Sequence, residues 1–449
     1  MCPMKGCDYM IECKVNIEKD IYLMHKDIKV MQINIDENRY TILNEKYMPF
    51  NFRDAFLVHE VKDTYTEYDA IQIARCVRKN AARFTNWLSH RVLLLTQANA
   101  KRLYQAYRLV QRDDEGTKAK LALTYRALSI LDNYWVKNLD DNASWEDVNL
   151  RNNSLSEAVT QIALHGRSLT LNGMPDPYAF STNGAYAKAW HRDEDKSLWL
   201  YKAGYNNSEE RIEVECSNIL DRCNVAHCHY ELRQDDDLRV CACPSMTSDE
   251  ISIADGDVFS SYCNIHNLNV DKELVNLDPD GYYKMFIIDY LLANRDRHTQ
   301  NWGIYYKNDT MEILGLHPLF DHNNAFEIDV MQNEDFESHF LNHTLKENAM
   351  YAMKQVDFHF TEPITRDLFL TDRQYKTFMS RAGQLGISVQ TLTKDDLYVQ
   401  YGGFQKYKDS VLSILPPSQR NAEISKDYIV SLKYALQAVQ GTHNCYRID

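Results

Sequence analysis

The stretch NRDRHTQN at residues 294–301, followed after a predicted hairpin by PLFD at residues 318–321, decides the interpretation of this sequence. The run YYKMFIIDYLLA at residues 282–293 precedes it and is apolar enough to form a buried helix. Such a helix would hold a polar, charged loop rigidly at its C-terminal end. Two acids and an asparagine placed around a hairpin suit phosphoryl transfer, in which catalysis is mainly positioning and charge stabilisation.

Each polar residue of this stretch has a possible role in that chemistry. Asp296 can orient an attacking hydroxyl group and accept its proton, while Asn301 and Asp321 can supply the oxygen ligands that Mg²⁺ prefers. The five-residue step from Asp296 to Asn301 equals the step from base to metal ligand in protein-kinase catalytic loops. We expect Arg297 and His298 to complete the catalytic set by fixing the loop through hydrogen bonds. The structural alternative is a surface ion pair of Asp296 with Arg297 and a helix cap at Asp321.

The composition is that of a folded protein of roughly two to three domains. Of the 449 residues, 44% are hydrophobic and 25% charged, so large cores can form and global disorder is not expected. The net charge of −14 argues against a surface that grips nucleic-acid phosphates. The 11 cysteines are scattered, and no signal peptide or membrane span is recognisable. We therefore expect a soluble, cytoplasmic protein with reduced thiols and no membrane partner.

The pattern of apolar residues predicts three successive domains, each with its own type of secondary structure. Residues 13–46 have the pattern of paired strands, with CKVNI at 13–17, IYLMHKDIKVMQINID at 21–36, and YTILN at 40–44 after a turn at 36–38. Residues 68–109 have the pattern of helices. SLWLYK at 197–202 predicts a strand, and HCHYELRQDDDLRVCAC at 227–243 a hairpin. After about residue 250 the pattern is mainly helical, interrupted by a hairpin in WGIYYKNDTMEILG at 302–315. The predicted domains are an N-terminal mixed strand/helix module, a small β-rich lobe and a larger helical lobe, at residues 1–165, 166–248 and 249–449.

The motif at residues 294–301, with the later PLFD, resembles the catalytic core of HipA-like serine/threonine kinases. These kinases have a two-lobed, protein-kinase-like fold that is distantly related to the fold of phosphoinositide kinases. LMHKDIKV at 23–30, LSILDNYWVK at 128–137 and WEDVN at 145–149 resemble the N-terminal module of a Gram-positive branch of the family. The resemblance covers most of the chain and is weakest beyond about residue 335. It implies an α+β fold, with the small and large lobes preceded by a mixed module.

STNGAYAK at residues 181–188 resembles the phosphate loop of that family, with Ser181, Gly184 and Lys188 at the matching positions. Leu200-Tyr-Lys202 resembles the strand lysine that contacts ATP phosphates. Glycine at 184 would let backbone amides approach a phosphate closely, although an ordinary hairpin turn explains it equally well.

An acid is needed to position Lys202, and the predicted helix EVECSNILDRCNV at 213–225 offers two. Glu213 fits the family's helix glutamate better, and Glu215 is the second candidate. For either glutamate, a position on a solvated helix face is the alternative.

The resemblance implies an ATP- and Mg²⁺-dependent kinase that transfers the γ-phosphoryl group to a serine or threonine hydroxyl, in a protein substrate. It further implies autophosphorylation at Ser181, a small antitoxin-like partner, and a hinge beside adenine at CACPSMT, residues 241–247. One alternative is a small-molecule or lipid kinase, since phosphoinositide kinases share the Asp-Arg-His loop, although no membrane-seeking basic patch is evident. The other is a catalytically inactive nucleotide-binding partner protein.

Two features bear on these alternatives. Family members often have glycine two residues after the metal aspartate, whereas this chain has Asn323, and asparagine tolerates a positive φ better than other non-glycine residues.

A second question is zinc binding by the cysteines and histidines of residues 223–243, namely Cys223, His227, Cys228, His229, Cys241 and Cys243. The spacing lacks two CxxC pairs, so burial of alternate residues in a helix and a hairpin is the favoured interpretation.

Overall fold

A computed structural model of the chain describes residues 19–34, 39–55, 66–153, 155–171, 175–180, 185–204, 208–333, 336–337 and 343–388. Within these residues the protein is a mixed α/β structure with several antiparallel sheets, which confirms the predicted α+β composition. The strands are β1 (Ile21–His25), β2 (Ile28–Asn34), β3 (Arg39–Ile42), β4 (Tyr134–Asn138), β5 (Ala187–Arg192), β6 (Leu198–Ala203), β7 (Glu231–Asp235), β8 (Leu238–Pro244), β9 (Ile251–Asp255), β10 (Gly303–Lys307) and β11 (Ile313–Leu316).

Thirteen α-helices are found in the described residues. They are α1 (Glu67–Ser89), α2 (Ala100–Ala106), α3 (Glu115–Thr124), α4 (Trp145–Val148), α5 (Glu157–Ala163), α6 (Pro177–Phe180), α7 (Glu209–Leu220), α8 (Gly256–Ile265), α9 (Val270–Leu277), α10 (Pro279–Leu291), α11 (Ile328–Gln332), α12 (Leu345–Ala352) and α13 (Asp372–Gln384). Among these helices, none combines the length and the apolarity that crossing a membrane requires.

The chain forms two compact units, each built from separate stretches of sequence. The first unit contains the described parts of Met1–Asn206, Ala242–Pro279 and His298–His317, and the second those of Asn207–Cys241, Asp280–Arg297 and Pro318–Asp449. One crossing from unit to unit falls after Cys241, at the start of the predicted hinge. The predicted domain boundaries after residues 165 and 248 stay a prediction.

The N-terminal sheet of the first unit has the strand order β3-β2-β1-β4. The run predicted as one strand is split by a turn at Lys26 and Asp27, and Lys26 has a left-handed backbone with φ 49°. Because of this turn, β1 and β2 form a hairpin, with Ile21 opposite Ile33. The strand β4 was not predicted, since its residues continue a long apolar run, yet it pairs with β1 along its whole length. The predicted strand CKVNI and the turn at 36–38 lie outside the described residues.

The core of the first unit joins this sheet to β5 and β6. A buried cluster contains aromatic and aliphatic side chains from both and from the segments that connect them, namely Met24, Leu128, Ile130, Trp135, Trp145, Leu150, Tyr178, Trp190 and Leu198. Burial of a large apolar side chain contributes roughly 1.5–3 kcal/mol to stability, so this cluster stabilises the hairpin of β5 and β6. That hairpin carries Lys188 and Lys202, the two predicted phosphate-binding lysines.

A second sheet of the first unit has the order β11-β10-β9. The hairpin β10–β11 was predicted, and the structure confirms it. The strand β9 corrects the prediction of mainly helical structure after residue 250, because ISIAD is extended and antiparallel to β10, with Ala254 opposite Ile304. The helix α8 follows β9 directly, capped by the Asp255 side chain, which accepts a hydrogen bond from the Val258 amide at 2.9 Å.

The second unit is centred on α10, the helix predicted to be buried. Residues on all of its faces are buried, and its lysine, Lys284, donates hydrogen bonds to the Asn224 carbonyl oxygen at 2.7 Å and to Asp280 at 2.6 Å. The Arg381 guanidinium on α13 donates to the carbonyl oxygens of Tyr290 (2.6 Å) and Val330 (2.5 Å), which joins α13 to the end of α10. The loop that follows α10 is therefore anchored on a rigid helix.

Candidate active site

The most constrained group of the candidate site is the Arg297 guanidinium in the second unit. It is buried and forms a bidentate ion pair with Asp289 of α10, from Nε to Oδ2 at 3.0 Å and from Nη2 to Oδ1 at 2.8 Å. Its Nη1 donates to the Phe320 carbonyl oxygen at 3.1 Å, and its Nη2 donates to His322 Nε2 at 3.1 Å. One side chain thus fastens the loop after α10 to the loop that contains Asp321.

Electrostatics favour the charged form of this arginine. Burial alone would lower the pKa of Arg297, but the ion pair with Asp289, helped by the charges of Asp321 and Glu213, raises the pKa above its ordinary value. Because a guanidinium is only a donor, the contacted Nε2 of His322 must be an unprotonated acceptor. His322 is therefore a structural neighbour that receives a hydrogen bond.

Asp296 lies in the same loop and is held by two asparagines. The Asn324 side chain donates from Nδ2 to Asp296 Oδ2 at 2.6 Å, and the Asp296 amide donates to Asn294 Oδ1 at 3.2 Å. Asn294 in turn donates from Nδ2 to Asp289 Oδ1 at 3.0 Å. The carboxylate of the predicted base is thus oriented by Asn324, and its backbone is linked through Asn294 to the aspartate that binds Arg297.

Asp321 has an unusual backbone conformation. Its φ is 61°, in the left-handed region that costs a non-glycine residue of order 1 kcal/mol or more, and such strain is found preferentially at functional sites. Asn323 has no positive φ, and its Nδ2 donates to Asp321 Oδ1 at 3.2 Å. The interpretation of Asn323 as a substitute for a glycine in a left-handed turn is therefore wrong, since the left-handed residue is the aspartate itself.

The two candidate glutamates of α7 have different surroundings. Glu213 is buried, and its Oε1 accepts a hydrogen bond from the His322 amide at 3.1 Å, next to Asp321. Glu215 accepts from the Leu370 amide at 3.0 Å and from Gln374 Nε2 at 3.1 Å. Neither lies on a solvated face. Only Glu213 contacts the loop that bears the predicted metal ligand, which favours it over Glu215 as a site residue.

Lys188 and Lys202 face each other in the first unit. They are direct partners in the antiparallel ladder of β5 and β6, so their side chains leave the same face of the hairpin, and both are buried. Like charges in directly opposite positions destabilise a sheet, and buried ammonium groups need negative charge nearby. The positive charge of two lysines in this arrangement suits the binding of a polyanion such as a nucleoside triphosphate. Ser181 and Gly184 of the predicted phosphate loop lie outside the described residues.

His298 and Asn301 belong to a tight loop of the first unit. Asn301 is buried, its amide donates to the His298 carbonyl oxygen at 2.9 Å, and His298 Nδ1 accepts from the Gln300 amide at 3.1 Å. Gly256 is required here, because a Cβ at this position would lie 2.5 Å from the Thr299 carbonyl oxygen. Close contact of the start of α8 with this loop fixes the position of Asn301.

Asn301 in the first unit and Asp321 in the second each carry a hard oxygen donor, an amide oxygen and a carboxylate, of the kind that Mg²⁺ prefers.

The cysteines considered for zinc do not fit a metal. In the described part of the chain, the one group whose ligand atoms converge is Asp221 with His227 and His229, without any cysteine. All four cysteines of that stretch are buried, as the favoured interpretation predicted.

Sequence reasoning missed two residues of this site, Asp289 and Asn324. An aspartate inside an otherwise apolar, buried helix was the available signal for Asp289, because a buried carboxylate requires a partner. Asn324 gave no such signal, since asparagines are common in loops. Its contact with Asp296 depends on the approach of two loops that are 28 residues apart in sequence.

Part of the chain matches the model of a known protein family. Residues 183–362, 180 of the 449, match the family model of HipA-like kinases. The predicted resemblance is confirmed over this segment. The HipA-like kinase segment contains every candidate site residue except Ser181, which lies two residues before its start. No curated protein matches the chain with significance.

Two solved structures are similar to the chain at low sequence identity. The Helicobacter pylori proinflammatory kinase CtkA has 13% identity and a TM-score of 0.32, over 44% of this chain and 89% of its own. HipA of the Shewanella oneidensis MR-1 toxin–antitoxin system, solved with HipB and operator DNA, has 9% identity and a TM-score of 0.41, over 94% of this chain and 97% of its own.

Proposed function

We propose that the chain is an ATP- and Mg²⁺-dependent kinase that transfers the γ-phosphoryl group to a serine or threonine hydroxyl of a protein. The observation that carries this proposal is the Arg297 network. Within a segment that matches HipA-like kinases, one buried guanidinium holds both loops of the second unit that bear the acids suited to phosphoryl transfer, Asp296 and Asp321.

Asp296 is assigned the role of the base. In this role its carboxylate orients the acceptor hydroxyl and takes its proton as the bond to phosphorus forms. The hydrogen bond from Asn324 restricts the carboxylate to one orientation. Arg297 acts as a positioning residue, because its donors reach Asp289, Phe320 and His322.

The remaining candidates bind the nucleotide in this proposal. Asp321 and Asn301 would hold Mg²⁺, and Lys188 and Lys202 would neutralise the ATP phosphates. When bound, the metal ion supplies positive charge to the β- and γ-phosphoryl oxygens. Glu213 is assigned to organising the metal loop through the His322 amide. Phosphate binding at Ser181 and Gly184, the hinge at 241–247, an antitoxin-like partner and a cytoplasmic location complete the proposal and rest on the sequence alone.

The proposal is tested by incubating the full chain with γ-labelled ATP, with and without Mg²⁺, in the presence of three acceptor pools: lysate protein, lipid vesicles and small metabolites. We expect Mg²⁺-dependent label in protein, recovered as phosphoserine or phosphothreonine after acid hydrolysis. The Asp296→Asn variant serves as the matched control for contaminating kinases. Label confined to lipid or to small molecules would overturn the assignment of a protein substrate, and the absence of transfer to any pool would overturn the kinase assignment.

A further inference from the structure

Three side chains of the second unit converge on one point that the proposed kinase chemistry does not use. Asp221, the residue that ends α7, has its Oδ1 at 3.1 Å from His227 Nε2 and at 3.1 Å from His229 Nδ1. The three potential ligand atoms all lie within 4.8 Å of one another. The two histidines precede β7, so the cluster joins the end of the helix to the beginning of the strand.

A backbone contact fixes the orientation of His227. Its Nδ1 lies 3.1 Å from the Val225 carbonyl oxygen, and because a carbonyl only accepts, Nδ1 carries the hydrogen. In the neutral ring, Nε2 then presents a lone pair to the Asp221 carboxylate, which is also an acceptor. A second proton or a cation must separate the two atoms. Donation from the far ring nitrogen to a carbonyl is the arrangement that orients histidine ligands in metal sites.

We propose that Asp221, His227 and His229 form a zinc site, with a fourth position open to water. Two imidazoles and a carboxylate are typical zinc ligands, and metal–ligand bonds of about 2.0–2.1 Å in a tetrahedron place neighbouring ligand atoms about 3.3 Å apart. The two 3.1 Å separations from Asp221 need only a small opening to reach this value. The His229 side chain is 53% exposed, which gives an ion a path from solvent.

The site would stabilise residues 226–229, which are hydrogen-bonded to the residues just before Asp321, the metal ligand of the proposed kinase. The Leu319 amide donates to the Ala226 carbonyl oxygen at 2.9 Å, and the Cys228 amide donates to the Leu319 carbonyl oxygen at 2.8 Å. Leu319 precedes Asp321 by two residues. Zinc at this cluster would therefore hold residues 226–229 in place and, through Leu319, restrict the loop of Asp321. The importance of this restriction for catalysis rests on the proposed function, whereas the zinc site is independent of it.

The first experiment measures Zn²⁺ binding to the full chain, stripped with a chelator, by competition with a chromophoric zinc indicator in the absence of ATP. We expect the unmodified chain to bind one equivalent of Zn²⁺. His229→Ala and Asp221→Asn should each weaken this binding at least about 100-fold, because removal of a ligand should cost at least as much as the largest loss found on mutating a hydrogen-bond partner of a ligand. The matched control is His343→Ala, another exposed histidine beside an acid, Glu347, at 3.9 Å. Equal affinity and stoichiometry in all four proteins would overturn the proposal.

The second experiment needs no variant and so remains valid if a substitution disturbs folding. With Co²⁺ in place of Zn²⁺, a nitrogen and oxygen ligand set gives visible d–d bands without thiolate-to-cobalt charge transfer. A strong charge-transfer band, or no bound Co²⁺ at all, would contradict the His₂Asp site. Neither experiment involves ATP, so failure of the zinc site and failure of the kinase assignment can be told apart.

Discussion

The guanidinium of Arg297 and the carboxylate of Asp289 form two parallel hydrogen bonds inside the second unit, with side-chain exposures of 1% and 3%. A buried ion pair of this kind contributes little net stability compared with apolar residues of similar size, because both ions lose their hydration. Its value here is geometric. The same guanidinium also binds the carbonyl oxygen before Asp321, so the pair sets the positions of two loops at once.

The first prediction is that Arg297→Ala lowers the free energy of unfolding by about 3–5 kcal/mol, because the substitution leaves Asp289 buried without its charge partner. Urea unfolding measures this change. The matched control is Arg295→Ala, two residues earlier, whose ion pair with Glu327 at 2.9 Å is partly exposed and should be worth about 0–1 kcal/mol. Similar losses in the two variants would show that the buried pair has no special role.

The second prediction concerns Asp296 and Asn324. Asp296→Asn should fold normally and lower phosphoryl transfer at least about 10²-fold, the lower end for a general base. Asn324→Ala should lower kcat by a smaller factor and leave the KM for ATP unchanged, because it releases the carboxylate without removing it. Initial rates at several ATP concentrations separate the two effects. Normal turnover in Asp296→Asn would exclude Asp296 as the base.

The third prediction concerns the metal ligand. Asp321→Asn should weaken Mg·ATP binding more than Asp296→Asn does, because it removes a direct anionic ligand. For the unmodified chain, ATP at about 100 times its dissociation constant should add roughly 2.7 kcal/mol of stability, visible as a thermal shift that requires Mg²⁺. If ATP gives the same thermal shift with Mg²⁺ and with EDTA, the proposed metal site is wrong.

Local patterns predicted much of the fold. The hairpin β10–β11, the helix α10 and the hairpin β7–β8 follow from short-range alternation, helical spacing and turn residues, and all three are present. The strands β4 and β9 were missed because their residues are stabilised by partners distant in sequence, β1 and β10. Periodicity within one segment contains no information about such partners.

The candidate site shows the same limit. The motif at 294–301, the later PLFD and their resemblance to a kinase family predicted Asp296, Arg297 and Asp321 as candidate site residues, because their types and spacing suit one chemistry. The contacts of Arg297 with Asp289 and of Asp296 with Asn324 depend on the path of the chain in space. The convergence of Asp221 on two histidines was hidden for the same reason, since the cysteines of that stretch offered the more conspicuous pattern.

The fourth prediction concerns Ser181, which lies outside the described residues. A phosphate there would carry about −1.5 to −2 charges and would repel the ATP phosphates while competing for Lys188 or Lys202. We expect incubation with Mg·ATP to phosphorylate Ser181 in the active chain, with a fall in ATP affinity, and not in Asp296→Asn. Mass spectrometry of both proteins checks this. An unmodified Ser181 in a demonstrably active kinase would eliminate the switch.

The last prediction uses Glu215, the buried glutamate of α7 that the site does not require. Burial raises the pKa of Glu215 from 4.5 to about 8, against the opposing effect of the hydrogen bonds from Leu370 and Gln374. Because the folded-state pKa exceeds the unfolded one, the protonated form is the one that the fold favours. Protonated Glu215 therefore contributes fully to the free energy of unfolding below about pH 4.5. This contribution is lost as the pH rises through 8, and the total loss is at most about 5 kcal/mol.

Replacement of Glu215 by glutamine tests this dependence, since the amide keeps the shape of the side chain and cannot ionise. We expect urea unfolding of the unmodified chain to require less denaturant at pH 8 than at pH 5, and Glu215→Gln to reduce that difference. Because the amide has one acceptor oxygen where the carboxyl has two, the variant loses the hydrogen bond from Leu370 or Gln374 at both pH values alike, so the difference between the two pH values isolates the ionisation. A variant with the same pH dependence as the parent would mean that the hydrogen bonds from Leu370 and Gln374 outweigh burial and keep Glu215 ionised.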